Sequence, residues 1–254
     1  MQPLYLNAPE VRRVSLDGPA LKVVTRRQAD RHFPLPRLSR VVSRGPIAWT
    51  SPALLECLRR GVPVTFLNRE GQLLGMSFGA YPQDSGFNRL LDAYFSLEAG
   101  PQRLVDWFRS HSRSRLLALL RRQKLHLPDL RIRAVRQALG EELKHRRRRI
   151  HPSLLHRLRP LTTAQVGETL TAYRIQPAIL EPIHDWRGLT CYLTGLLEWE
   201  WWEWALSGRL RLAGPADQHA ITACYETHAA AIGDRTRNWI GRLWRWLEQN
   251  EAYT

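Results

Sequence analysis

Cysteine is scarce in this chain, and it is placed where it can do little. Cys57, Cys191 and Cys224 are the only three, they lie far apart, and no CxxC pair exists. That spacing argues against a structural zinc site, and the odd, low count suits a reducing compartment rather than a disulfide framework. Long apolar runs are also missing, and none approaches the length of a membrane span. The opening MQPLYLNAPEVRR holds no apolar stretch of signal-peptide length. No internal repeat is visible. The expectation is a cytoplasmic protein with no membrane association.

Acidic residues are in short supply as well. Asp and Glu number 23 against 38 Lys and Arg, giving a formal net charge of +15 and a pI near 10.8 in 254 residues. Most of the excess is arginine, whose planar guanidinium meets phosphate oxygens bidentately. A polyanionic partner follows from that imbalance, nucleic acid being the commonest kind. With 44% hydrophobic and 24% charged residues, the composition is that of a folded globular chain.

The periodicity changes along the chain. Leu4–Leu6, Val11–Leu16, Leu21–Thr25 and Arg40–Ser43 are short and β-branched or apolar, and Asp17-Gly18 marks a turn between the second and third. Ser51–Arg60 reads as a helix, with Ser51 to cap it, Pro52 in its first turn and Gly61 to stop it. Val62–Leu67 and Gln72–Phe78 are strands around Glu70-Gly71. After a Pro- and Gly-containing linker the pattern turns helical: Leu90–Leu97, Leu104–Leu120, Asp129–Lys144, Thr163–Tyr173, Leu189–Leu206, Asp217–Ile232 and Thr236–Glu248. The fold class is therefore α+β, a small β-rich N-terminal domain over 1–79, a linker over 80–87 and a larger all-α C-terminal domain over 88–254.

The order of these pieces resembles a known family. LYL, then RVVSRG, then TSPALLECLRRGVPVTFLNREGQLLG look like the N-terminal domain of the CRISPR-associated spacer-acquisition integrase, the Cas-one family. SLLHRLRPLTTAQVGETLTAYRIQPAILEPIHD resembles the segment that leads to that family's catalytic histidine, and His184 stands in its place. ACYETHAAAIGDRTRNWIGRLWRWLEQNEAYT is similar to the family's closing helix. The resemblance implies a homodimer formed through the β-domain and a heteromeric complex with a second Cas adaptation protein. It also implies binding of double-stranded prespacer DNA, and Mg²⁺ or Mn²⁺ held by a Glu, a His and an Asp. Such a metal polarises the scissile phosphate and activates the attacking hydroxyl.

The sequence departs from the family at that metal site. The family's Glu-Gly motif is not found between Leu120 and Pro152; Glu141 and Glu142 after Gly140 are the nearest candidates. Gly195 stands where the Asp is expected, and Asp185, Glu198 and Glu200 are the carboxylates nearby. The shifted ligand set that remains is Glu142, His184 and Glu198, with His184 the catalytic candidate. A hard divalent cation needs converging carboxylates, so the expectation is an adaptation subunit that binds prespacer DNA with impaired chemistry. Two alternatives stand beside it: an active metal-dependent integrase or endonuclease using the shifted set, and a non-catalytic basic scaffold for RNA or an acidic protein.

Two further features bear on partners. Lys144, Arg146, Arg147, Arg148 and Arg149 form the densest cationic run, extended by Arg157 and Arg159. These are the candidate DNA-binding residues; set against DNA they release condensed counterions. Trp199, Trp201, Trp202 and Trp204, with Glu198, Glu200 and Glu203 between them, are expected to serve as core and subunit interface, or else as a wedge that stacks on a DNA end.

Overall fold

The computed structural model describes residues 1–79, 85–146, 150, 152–175, 188–210 and 217–251. Eight strands come first: β1 (Gln2–Asn7), β2 (Val11–Asp17), β3 (Ala20–Thr25), β4 (Arg31–Pro34), β5 (Leu38–Arg44), β6 (Ala48–Trp49), and, after helix α1 (Ser51–Arg59), β7 (Val64–Leu67) and β8 (Leu73–Ser77). Six helices follow: α2 (Gly86–Phe95), α3 (Gly100–Gln123), α4 (Ile132–His145), α5 (Pro152–Ala172), α6 (Leu189–Ser207) and α7 (Gln218–Glu251). The α+β class and the order of strands before helices are as the sequence predicts.

The strands form two four-stranded sheets, β1-β5-β7-β8 and β4-β3-β2-β6. β2 and β3 make a hairpin closed by Gly18 and Pro19, with Asp17 opposite Ala20 and Gly18 at φ 55, a left-handed conformation that glycine adopts without a Cβ penalty. β5 and β7 are parallel, so the chain must cross over between them, and α1 is that crossover. Leu6, Val14, Leu21, Val23, Leu38, Val41 and Val64 bury against Ala53 and Cys57 of α1 in one core. That core is why the Val- and Leu-rich runs of the first 70 residues are legible as strands.

By internal contacts the chain divides into two units, Met1–Arg89 with Thr163–Pro177, and Leu90–Thr162 with Ala178–Thr254. In the first, the second half of α5 is tied to the sheet by Arg40, which is 4% exposed. Its guanidinium donates to the Glu168 carboxylate and, at 3.0 Å, to the Tyr5 hydroxyl. In the second, α6 packs against α3, α4 and α7. Leu193, Leu197, Trp201, Trp202 and Leu206 bury on nearly every side of α6, as expected of a helix enclosed by others. Gly208, at φ 77, ends it with a left-handed turn whose N–H bonds back to the Ala205 carbonyl.

Four elements differ from expectation. Strands β4 and β6 carry no alternating apolar pattern and form because β3 and β2 offer open backbone edges. The helix expected from Thr163 begins at Pro152 and runs through Pro160. Pro160 removes one N–H, but Leu154, Leu155, Leu158 and Leu161 bury on that stretch and hold it helical. The two helices expected on either side of Gly233 are one helix, α7, of 34 residues. Gly233 is buried inside it, and an interior glycine costs a helix about 1 kcal/mol without ending it.

Candidate nucleic-acid interface and the helical acidic cluster

The cationic segment follows α4. Lys144 is exposed and pairs with Glu141 at 2.8 Å. Arg146 is more committed: its Nε donates to Glu142 at 2.5 Å and its Nη1 to the Gln123 side chain at 2.6 Å, tying the end of α4 to the end of α3. Arg147, Arg148 and Arg149 lie outside the described residues. On α5, Arg157 donates to Gln218 at 3.2 Å, while Arg159 is exposed. Within the helical unit, then, Lys144 and Arg159 lie at the surface and Arg146 fastens helices.

The carboxylates considered for metal are placed as follows. Glu142 accepts from Arg146, and Glu198 on α6 accepts two bonds from Arg136 on α4, both at 2.7 Å, a fork-to-fork geometry. His184 and Asp185 lie outside the described residues. Among the described residues no group of three or more His, Cys, Asp or Glu side chains is arranged to hold a metal ion. Gly195 faces open space: a Cβ built there meets nothing within 4 Å. Of the proposed ligands, Glu142 and Glu198 are each engaged by a guanidinium, which a cation would have to displace to gain their oxygens.

The remaining acids of α6 are treated the same way. Glu200, 2% exposed, lies between Arg115 of α3, which donates to it, and Arg235 of α7 at 3.0 Å. Burial pushes its carboxyl above the usual carboxylate range, and the two arginines oppose that shift. Glu203 takes Arg122 at 2.6 Å. The glutamates among the tryptophans thus bind helices together. The sequence does not reveal these arginine partners, although a glutamate inside an apolar helix signals that cations must come from elsewhere.

The tryptophans are core. Trp199, Trp201, Trp202 and Trp204 are all 5% exposed or less. The Trp199 ring N–H donates to Ser112 at 3.0 Å and that of Trp201 to Thr162 at 2.9 Å. Trp204 meets Trp201 edge-on at 5.0 Å and lies 4.8 Å from the His228 ring. A wedge that stacks on DNA needs an exposed face, and these rings have none, which overturns that option.

Two four-stranded sheets followed by helices cross-linked by arginine–carboxylate pairs define an α+β protein. Residues 4–150 match the family described as CRISPR associated protein Cas1, and the chain belongs to that family. A CRISPR-associated exonuclease Cas4/endonuclease Cas1 fusion from Rhodospirillum rubrum is 34% identical over 83 residues, covering 33% of this chain and 14% of that protein. Among solved structures, a Cas1 protein from Thermotoga maritima superposes with a TM-score of 0.75 over 97% of both chains at 13% identity. A casposase bound to integration product gives 0.64 at 12% identity, over 96% of this chain and 91% of that one. At these identities the likeness is one of fold. No described helix is long and apolar enough to cross a membrane.

Proposed function

We propose that this chain is a DNA-holding subunit of CRISPR adaptation, integrase-like in fold and impaired in metal chemistry. Family membership carries the first part. The casposase that shares the fold is bound to integration product, which supports a role in holding DNA during strand transfer. The net charge of +15 supports the same reading, since phosphate contacts of this kind are driven by counterion release. The Rhodospirillum relative, an exonuclease–endonuclease fusion, favours an adaptation partner with nuclease activity. The second part rests on two observations: Glu198 is engaged by Arg136, and position 195 is glycine.

The test is strand transfer with purified protein, alone and with its adaptation partners, using a short duplex with free 3′ hydroxyls and a repeat-bearing supercoiled plasmid in Mg²⁺ or Mn²⁺. The expected result is salt-sensitive duplex binding without joined product from the protein alone. Joined product that His184→Ala abolishes refutes the impairment and restores the active-integrase reading. Gly195→Asp adds an arm, because a Cβ at that position meets nothing within 4 Å.

A further inference from the structure

The pairing of the second sheet gathers charge that is dispersed in the sequence. β2 starts, β3 ends and β4 starts at one end of that sheet: Val11 lies opposite Thr25, Arg13 opposite Val24, and Arg31 opposite Val23. Arg12, Arg13, Arg26, Arg27 and Arg31 therefore share that end, and all five are exposed. None of them makes an ion pair with a carboxylate among the described residues. Arg31 lies over the Phe33 ring at 5.1 Å, which holds it extended. Of the acids nearby, Asp30 is engaged by Lys22 at 3.1 Å, leaving Glu10 in the β1–β2 turn.

Five like charges held together without ion-pair partners, with Glu10 the one unengaged acid nearby among the described residues, repel one another, and that arrangement is relieved by a polyanion. Adjacent strands are about 4.8 Å apart, so β2 and β4, separated by β3, lie about 10 Å apart, and the two-residue stagger of their first residues brings that separation to about 12 Å. Duplex nucleic acid carries a charge about every 1.7 Å of axis, so a patch of this width meets several phosphates at once. All five cations are arginine, the side chain suited to bidentate phosphate contact. No large apolar side chain of this sheet is exposed, which disfavours a membrane or an apolar protein surface.

We propose that this end of the β-unit is a phosphate-binding surface, additional to the cationic segment of the helical unit, that grips the backbone of duplex DNA. It reads charge and spacing, and it carries no base specificity. The inference rests on the reading of the chain as a DNA-holding protein, and the experiment separates the two.

The full chain is compared with R12Q/R13Q/R26Q/R27Q, whose substituted side chains are exposed, and with the charge-retaining R12K/R13K/R26K/R27K. A third protein, K144Q/R159Q, alters the helical unit. Binding of a labelled short duplex is followed across a salt titration, with circular dichroism melts as the folding control. Every phosphate that is no longer neutralised makes the slope of log K against log salt shallower by about 0.9. The glutamine protein is expected to flatten by at least two such steps and to bind at least about tenfold more weakly at moderate salt. The lysine protein should keep most of the slope. An unchanged slope and affinity in a folded glutamine protein, while K144Q/R159Q weakens binding, overturns this surface and leaves the DNA-holding reading intact. Absence of duplex binding by the unaltered chain overturns both. Weakened binding of polyglutamate but not of duplex assigns the surface to an acidic protein and also overturns the proposal.

Discussion

Replacing Glu200 separates two contributions that buried ion pairs combine. The carboxylate is 2% exposed and has Arg115 and Arg235 on either side, with side chains 24% and 39% exposed. Removing one partner of a fully buried pair costs about 3–5 kcal/mol, because a charge is stranded. Here both guanidiniums reach solvent and can turn outward, so Glu200→Ala is expected to cost about 2–3 kcal/mol, including the small cavity. Glu200→Gln keeps the shape and one acceptor oxygen while removing the desolvated charge. Because burial raises the Glu200 pKa in spite of the arginines, the native state holds this proton more tightly than the unfolded chain does. Stability from this group is therefore fully present below the ordinary carboxylate range and falls as pH rises through the higher folded value. The glutamine variant should be within about 1 kcal/mol of the parent at neutral pH, and it should lack that decline. Urea unfolding followed by tryptophan fluorescence from mildly acid to neutral pH reads both effects. A destabilisation of more than about 2 kcal/mol for Glu200→Gln at neutral pH, equal to that of alanine, refutes the reasoning and makes the ion pairs net stabilising.

Glycine positions give opposed outcomes in thermal melts. Gly100→Ala puts a Cβ 1.9 Å from the Tyr94 carbonyl oxygen, a backbone atom that cannot step aside, and should lower stability by about 2 kcal/mol or more. Gly195→Ala, in open space inside α6, should raise it by about 0.5–1 kcal/mol. Thiol labelling at mildly alkaline pH should modify Cys191 alone in the folded protein, because Cys57 is buried with its thiol pushed up to about 12 by desolvation and Cys224 is buried and raised too. Equal rapid labelling of all three cysteines contradicts the described core. Leu21→Ala, at the centre of the β-unit, should cost about 2–5 kcal/mol in urea unfolding.

What is legible in the sequence tracks how much of each element's stability is local. β2, β3, β5 and β7 carry their own β-branched and apolar residues, and α6 its long run of leucines and tryptophans, so each is found within a residue or two of its expected place. β4 and β6 do not carry such a pattern. RHFP and AW gain their structure from the edges they pair with, and no window of sequence contains that edge. Pro160 and Gly233 mislead for the same reason in reverse. Each is a local breaker, yet the buried leucines around Pro160 and the buried seat of Gly233 outweigh a propensity cost of about 1–3 kcal/mol.

The site is less legible because its chemistry lies in pairs whose members are far apart in the chain. Glu198 with Arg136, Glu200 with Arg115 and Arg235, and Glu203 with Arg122 join α6 to three other helices. From the sequence alone those glutamates read as free carboxylates; in the fold each is paired with an arginine of another helix. The same holds for the charge of the whole chain. The run after α4 is conspicuous because its cations are contiguous, yet Arg146 within it fastens helices. The five arginines of the second sheet are never more than two in a row, and only strand register brings them together. A count of cations predicts that a polyanion binds; which cations remain to bind it is decided by the carboxylates that the fold has already paired with the others.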